Sequence, residues 1–212
     1  MKKTIVFLVC LAAAGLNSCI GASADISIQA DGSGRIALEY RVSQMLESLG
    51  RLDGNRSWPA IPTGRADFER SLARIPGMRL RSFSSRENRT DLLTRVVLDF
   101  SDTNALLAFL GSAFGQASLT NENNINLLKL VLVQPSSAGL NADLVSLLRQ
   151  VSTDYEISIS LSVPANVTVS AIPDTVSIPS ARLSSQGRKA SFTAGLGDLA
   201  GLSEGLIVEF KW

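Results

Sequence analysis

Tyr155 to Val163 restricts the fold more than any other stretch of the chain. Tyr155, Ile157, Ile159, Leu161 and Val163 alternate with Glu156, Ser158, Ser160 and Ser162. Successive side chains of a strand point to opposite faces, so this period puts the apolar set on one side and the polar set on the other. A helix would scatter the same residues around its circumference. The strand must lie on a core with its other face in water, the situation of an antiparallel sheet. Pro164 ends the run, because it has no amide hydrogen to give to a ladder.

The same period recurs in pairs. Ile26, Ile28 and Ala30 alternate with Ser27 and Gln29 before Asp31-Gly32-Ser33-Gly34, and Ile36, Leu38, Tyr40 and Val42 alternate after it. Glycines tolerate the positive φ angles of tight turns, so this reads as a hairpin. Met78 to Ser85 and Leu92 to Phe100 make a second hairpin around Glu87-Asn88-Arg89. Gln116 to Leu119 and Ile125 to Val133 make a third around Asn121 to Asn124, and Ala181 to Ala194 make another. Leu127 to Val133 is apolar except for Lys129, which places it at a sheet centre covered on both faces. Short strands are expected at Val167 to Ala171 and Val176 to Ile178, and Leu206 to Trp212 alternates as a closing strand tied into the sheet.

Between the hairpins lie stretches with the i, i+3, i+4, i+7 spacing of amphipathic helices. They carry Val42, Met45, Leu46 and Leu49; Phe68, Leu72 and Ile75 after a Thr63 cap; Leu106, Phe109, Leu110, Ala113 and Phe114 after Ser101 or Asp102; and Leu144, Leu147, Leu148 and Val151 after Asn141. Gly197 to Leu202 makes at most one turn. Trp58, in the loop Asn55 to Pro62, is read as a lid over the core, with an exposed recognition residue as the alternative. Because each strand pair is joined by a short turn, the expected fold is α+β. It is an antiparallel curved sheet built from successive hairpins, with about four amphipathic helices packed mainly on one face.

The first residues follow a different rule. Lys2 and Lys3 precede the apolar run Ile5 to Ala14, which falls short of the roughly 20 residues that a spanning helix needs. Leu16-Asn17-Ser18-Cys19 closes the run. The segment resembles the signal of bacterial lipoproteins, in which a leucine and two small or neutral residues precede a cysteine. Asn17 departs from the commonest choices at its position. The resemblance implies that residues 1–18 are a signal peptide removed by a membrane protease. It also implies that Cys19 carries an S-diacylglycerol and an N-acyl chain such as palmitate. The alternative is an ordinary secretory signal cut near Ala22-Ser23-Ala24.

Cysteine usage fits acylation. With Cys10 in the removed segment, Cys19 is the one thiol of the mature chain, and a thioether would mask a group that is otherwise a liability outside the cytoplasm. The expected organisation is a signal peptide over 1–18, a lipidated tether over 19–24 and one extracytoplasmic domain over 25–212. The acyl chains on Cys19 then hold the domain at the cell envelope, on the inner or the outer membrane.

Loss of the two lysines with the signal takes the formal charge from +1 to −1, so no global field draws the chain to nucleic acid. Locally the balance differs. Arg51 to Arg95 holds ten arginines against Asp53, Asp67, Glu69, Glu87 and Asp91. The plain reading is a solvated helix and hairpin; the sharper one is a patch for anionic headgroups or an acidic partner.

Catalytic signatures are absent. The chain has no histidine, which removes the commonest general base and metal ligand and the Ser-His-Asp triad with them. One thiol cannot build a structural zinc site. No serine sits in a nucleophile elbow, and no Walker or dinucleotide loop occurs. Asp31-Gly32-Ser33-Gly34 lacks the later ligands of a calcium loop and the lysine of a phosphate loop, so it is a turn. Among the carboxylates, Asp99 and Asp102 flank a strand-to-helix turn, with Asp102 read as a helix cap, and Asp154 and Glu156 share a strand face. No metal, cofactor or catalytic residue is assigned.

The interleaved hairpins and helices, the strand Tyr155 to Val163 ending at Pro164, and the closing Val208-Glu209-Phe210-Lys211-Trp212 resemble the LppM-type bacterial lipoproteins. The resemblance implies an extracytoplasmic α+β domain with a lipid-binding role; it transfers no binding residue. The expected function is a membrane-anchored envelope lipoprotein, not an enzyme, acting as a noncatalytic binding module for a lipid or other amphiphile. The alternatives are a protein-interaction or envelope-assembly lipoprotein and, behind it, a hydrolase using carboxylates or serine. A lipid binder calls for an apolar cleft between layers, and an interaction module for a filled core with an exposed patch.

Overall fold

The turns read in the sequence close strand pairs. The computed structural model describes residues 20–43, 64–87, 91–135, 146, 155–175 and 178–212. In chain order these contain β1 (Ile20–Ile28), β2 (Gly34–Ser43), α1 (Arg65–Leu72), β3 (Met78–Glu87), β4 (Asp91–Phe100), α2 (Thr103–Phe114), β5 (Gln116–Glu122) and β6 (Ile125–Val133). There follow β7 (Glu156–Ser162), β8 (Thr168–Ile172), β9 (Arg182–Gln186), β10 (Lys189–Gly195), α3 (Leu196–Ala200) and β11 (Leu206–Lys211). Several expectations lie outside the described residues: Cys19 and the segment before it, the helix on Met45, Leu46 and Leu49, the Trp58 loop, the turn at Asn88 and Arg89, the helix on Leu144 to Val151, Asp154, and Val176.

The turn chemistry works as expected. Asp31 Oδ1 accepts from the Ser33 amide at 3.0 Å and its hydroxyl at 2.7 Å, closing the β1–β2 hairpin. Gly34, just after this turn, is needed for space: a Cβ there would run into the Ser27 carbonyl and the Phe100 ring. Asn123 and Asn124 take φ of 52° and 62° between β5 and β6, the left-handed pair of a type I′ turn.

The strands form two sheets. Seven lie in the order β3-β4-β2-β1-β7-β10-β9 and four in the order β5-β6-β11-β8. Ile26 on β1, Ile36 on β2, Leu98 on β4, Ile159 and Leu161 on β7 and Phe192 on β10 have 0–1% exposure on the inner face of the larger sheet. Leu128, Leu130, Val208 and Phe210 are equally buried on the smaller one, and all belong to one continuous core. Each such side chain contributes roughly 1.5–3 kcal/mol by leaving water. β11 lies between β6 and β8, and Trp212 exchanges backbone bonds with Asn126 at 2.7 and 3.0 Å, so the closing strand is tied in as its alternation indicated.

This is a mainly β fold, and the α+β expectation is corrected. Among the described residues there are three short helices, not a layer of about four. The core of the larger sheet is completed by the second sheet. α1 seats Phe68 against Tyr40 and Phe83, with ring centroids 6.4 and 5.9 Å apart. Its N-cap is Gly64, which has no side chain to cap with; the Thr63 cap expected from the sequence lies outside the described residues. α2 buries Ala105, Leu106 and Leu110 and is capped by Asp102, whose Oδ1 accepts from the amides of Asn104 and Ala105 at 2.9 and 3.0 Å.

Two further expectations change. β1 and β7 run parallel, with Ala22 opposite Ile157 and Ser27 opposite Ser162, so the larger sheet is mixed, not antiparallel throughout. Alternation tells which face of a strand is apolar and is silent on the direction of its neighbour. Ile20 to Ala24, expected as a tether, form the first half of β1 and pair with β2 from Ile20 and with β7 from Ala22. Their small side chains read like a cleavage site, yet they suit a strand enclosed between two others.

Candidate functional site

The inner faces are spent on the core, so chemistry has to be sought on the outer ones. On the larger sheet the register places Gly21 of β1 opposite Arg41 of β2, and Ser23 opposite Glu39. On the other side of β1, Ser23 faces Ser158 of β7, which in turn faces Thr193 of β10. Gly21, Ser23, Glu39, Arg41, Glu156 and Ser158 line a cavity of about 320 Å³ at this place, the lower end of the roughly 300–1,000 Å³ usual for small-ligand sites.

Tyr155 lies beside the groove, against two of its residues, Gly21 and Arg41. The Arg41 guanidinium carbon stands 5.1 Å from its ring centroid, within cation–π range, and its hydroxyl donates to Asp91 Oδ1 at 3.0 Å. A Cβ on Gly21 would meet this ring at 3.4 Å, so the glycine leaves the space in front of it open. The sequence period puts Tyr155 with the apolar set, and the structure does not. Tyr155 stands one residue before β7, outside the ladder that enforces alternation.

The groove thus presents one guanidinium, the carboxylates of Glu39 and Glu156, and the hydroxyls of Ser23 and Ser158. Glu39 is bridged to Arg95, and Ser158 and Thr193 share a hydrogen bond of 3.2 Å. Such a set can hold a polar group carrying both signs of charge. Behind it, Tyr40 also contacts the cavity. Burial pushes the Tyr40 phenol well above its ordinary pKa, a hydrogen bond with Thr94 opposes this, and the charge of Asp67 adds to it. Tyr40 therefore stays a neutral donor at physiological pH.

The carboxylates singled out in the sequence have other duties. Asp102 is held below the ordinary carboxylate range by the Ala105 amide, the Ser101 hydroxyl and the Asn104 amide, as befits a helix cap. Partial burial pushes Asp99 up, but the hydrogen bonds and charges of Arg35 and Arg81 outweigh it and hold the group low. Glu156, read in the sequence only as sharing a strand face with Asp154, lines the groove, and its place beside Gly21 comes from the parallel β1–β7 register. Among the described residues no three potential metal ligands come together, and no helix is long and apolar enough to cross a membrane.

No family model and no curated protein matches the chain. Among solved structures it is similar to the folded domain of LppM from Mycobacterium tuberculosis, with 17% identity over 84% of this chain and 90% of that one, at a TM-score of 0.40. The LppM likeness is a weak one. The chain is also similar to an M1 zinc metallopeptidase from Deinococcus radiodurans, at 9% identity and a TM-score of 0.29. There it covers 89% of its own length and 42% of the enzyme's.

Proposed function

We propose that the chain is a lipid-anchored protein of the bacterial envelope whose domain is a noncatalytic binding module, with Cys19 as the acylated residue. The observation that carries the reading is the start of β1 at Ile20, the residue after that cysteine. A strand at the interior of the sheet begins there, so no tether separates the acyl chains from the fold. Gly21 and Ser23 would stand within a few residues of the headgroup layer, and the groove they line with them. The ligand is then the polar portion of a lipid or other amphiphile, met at the outer face of the sheet. The inner faces are filled by side chains with near-zero exposure, which supports the groove over an apolar cleft between the layers.

One observation favours a protein partner as the second reading. Ile172 and Leu183 are 52% and 38% exposed on β8 and β9, which are edge strands of their sheets and adjoin each other.

The anchor is tested by expressing the full chain in a bacterium and weighing the mature N-terminal peptide. The acylated mass on Cys19 is expected, with Cys19→Ser released from the membrane fraction or left unprocessed. A Cys19→Ser protein that matures to the same size and stays with membranes overturns the anchor. The groove is tested by native mass spectrometry of the detergent-solubilised protein. Copurified lipid that is lost on Arg41→Ala supports it, and a protein bare of lipid in both forms shifts the reading to the partner.

A further inference from the structure

A second feature of the outer face lies away from the groove. Arg35 and Asp99 sit opposite each other across β2 and β4, and Arg79 and Asp99 across β4 and β3. A register shift between Leu80 and Ser82 brings Arg81 to the same carboxylate. Arg35 Nε stands 3.1 Å from Asp99 Oδ1, and Arg81 Nη1 and Arg79 Nη2 stand 3.3 and 3.7 Å from Oδ2.

Three guanidiniums thus share one carboxylate, which leaves a local excess of positive charge. Nearby carboxylates do not relieve it: Glu39 is bridged to Arg95 and Asp25 to Lys189. A guanidinium has five N–H donors. Asp99 takes one hydrogen bond from Arg35 and one from Arg81, and Arg79 lies beyond hydrogen-bond reach of it. Most of the donors are left for another acceptor, and Arg79 is 80% exposed.

Charges on an edge strand deter pairing with other chains, and β3 is an edge. That accounts for Arg79 and Arg81 as charges. It does not account for Arg35, which belongs to an interior strand, nor for the convergence of all three on one point. Asp99 here acts as a positioner that holds two arginine forks with their remaining donors outward.

We propose that Arg35, Arg79 and Arg81, positioned by Asp99, bind a tetrahedral oxyanion of the phosphate-monoester class, carried either by a lipid headgroup or by a soluble phosphoester. Forked guanidiniums match such oxygens bidentately, which a lysine cannot do. The site is level with Ser27, seven residues along β1 from Ile20, or about 23 Å at the usual strand rise. It therefore depends neither on Cys19 nor on the groove, and stands or falls apart from them.

The experiment uses the detergent-solubilised full chain, with the arginine Nε–H signals followed by NMR during titration with inorganic phosphate. The expected result is a saturable shift of Arg35, Arg79 and Arg81 that sodium chloride at equal ionic strength does not reproduce. Arg79→Gln with Arg81→Gln should weaken binding about tenfold or more, and Arg79→Lys with Arg81→Lys should recover part of it. Arg182→Gln, exposed on β9, should change nothing. Shifts that never saturate, or that chloride matches, overturn the site. Vesicles then separate the sources. With Cys19→Ser in both forms, so that no acyl chain holds either one, retention of the otherwise wild-type chain, but not of the Gln pair, on phosphatidic acid vesicles and not on phosphatidylcholine assigns the anion to a headgroup. Phosphate binding without such retention assigns it to a soluble phosphoester.

Discussion

The two flanks of the seven-stranded sheet share one kind of inner face and differ in the outer one. On the β3-β4-β2 flank the outward side chains include Arg35, Arg41, Arg79, Arg81, Arg86 and Arg95, answered by Glu39 and Asp99. On the β1-β7-β10 flank they include Ser23, Ser27, Ser158, Ser160, Ser162, Ser191 and Thr193, with Glu156 at the groove and the Asp25–Lys189 pair at 3.6 Å. Inward, both flanks bury the same aliphatic and aromatic types. The core therefore dictates half of each strand and leaves the other half free. One flank has used that freedom to concentrate charge and the other to present mostly hydroxyls. The groove lies on the seam, taking Glu39 and Arg41 from the charged side and Ser23 and Ser158 from the hydroxyl side.

The division between inner and outer faces can be broken most severely at Phe192, which is fully buried. Phe192→Ala should cost roughly 3–5 kcal/mol in denaturant unfolding, whereas its outward neighbour Ser191→Ala should stay within about 0.5 kcal/mol. Equal effects would mean that the two faces are not distinct. Gly34→Ala comes next, because its Cβ would collide with the Ser27 carbonyl and the Phe100 ring. Loss at the upper end of the roughly 1–3 kcal/mol of overpacking is expected, and a neutral result would mean that β1, β2 and β4 are not packed this closely.

What was legible in the sequence follows from the same division. Alternation is a local signal, and within the strands it placed the inward residues of β1, β2, β4, β7 and β11; it failed just past their ends, at Ala30, which is exposed, and at Tyr155. Turn chemistry at Asp31 to Gly34 and at Asn123-Asn124 is local too. The pairing of β1 with β7 joins residues 22 and 157, and nothing local encodes it or its parallel direction. That pairing creates the groove, so Glu156 and Tyr155 could not be assigned to it beforehand. The expected helix layer failed for a related reason. A period of 3.6 marks a helix with an apolar side, but does not say whether a second sheet will complete the core. The arginine excess was visible as a count between Arg51 and Arg95, whereas its focus at Asp99 required the β2–β4–β3 register.

A milder probe lies at the seam. Tyr155→Phe keeps the ring under Arg41 and removes the hydroxyl that donates to the mostly buried Asp91. A loss of about 1 kcal/mol is expected from such a hydrogen bond, with ligand binding in the groove largely kept because the ring remains. A loss of binding greater than the loss of stability would show that the hydroxyl itself meets the ligand.

The smallest effect concerns pH and separates the two flanks by charge alone. Asp99 is held below the ordinary carboxylate range in the fold, against about 3.9 in the unfolded chain. A lowered folded value means that the group's contribution is present above the unfolded pKa and fades as pH falls through the folded one. Asp99→Asn should therefore melt below the wild type at neutral pH, and the two curves should converge as the pH is lowered toward and past the folded value. The gap should be greatest at low ionic strength, since the arginines around Asp99 are partly exposed and salt screens them. On the hydroxyl flank, Ser160→Ala should run parallel to the wild type at every pH. Parallel curves for Asp99→Asn would mean that the three arginines do not act on this carboxylate in solution, and the charged flank would then differ from its neighbour in composition only.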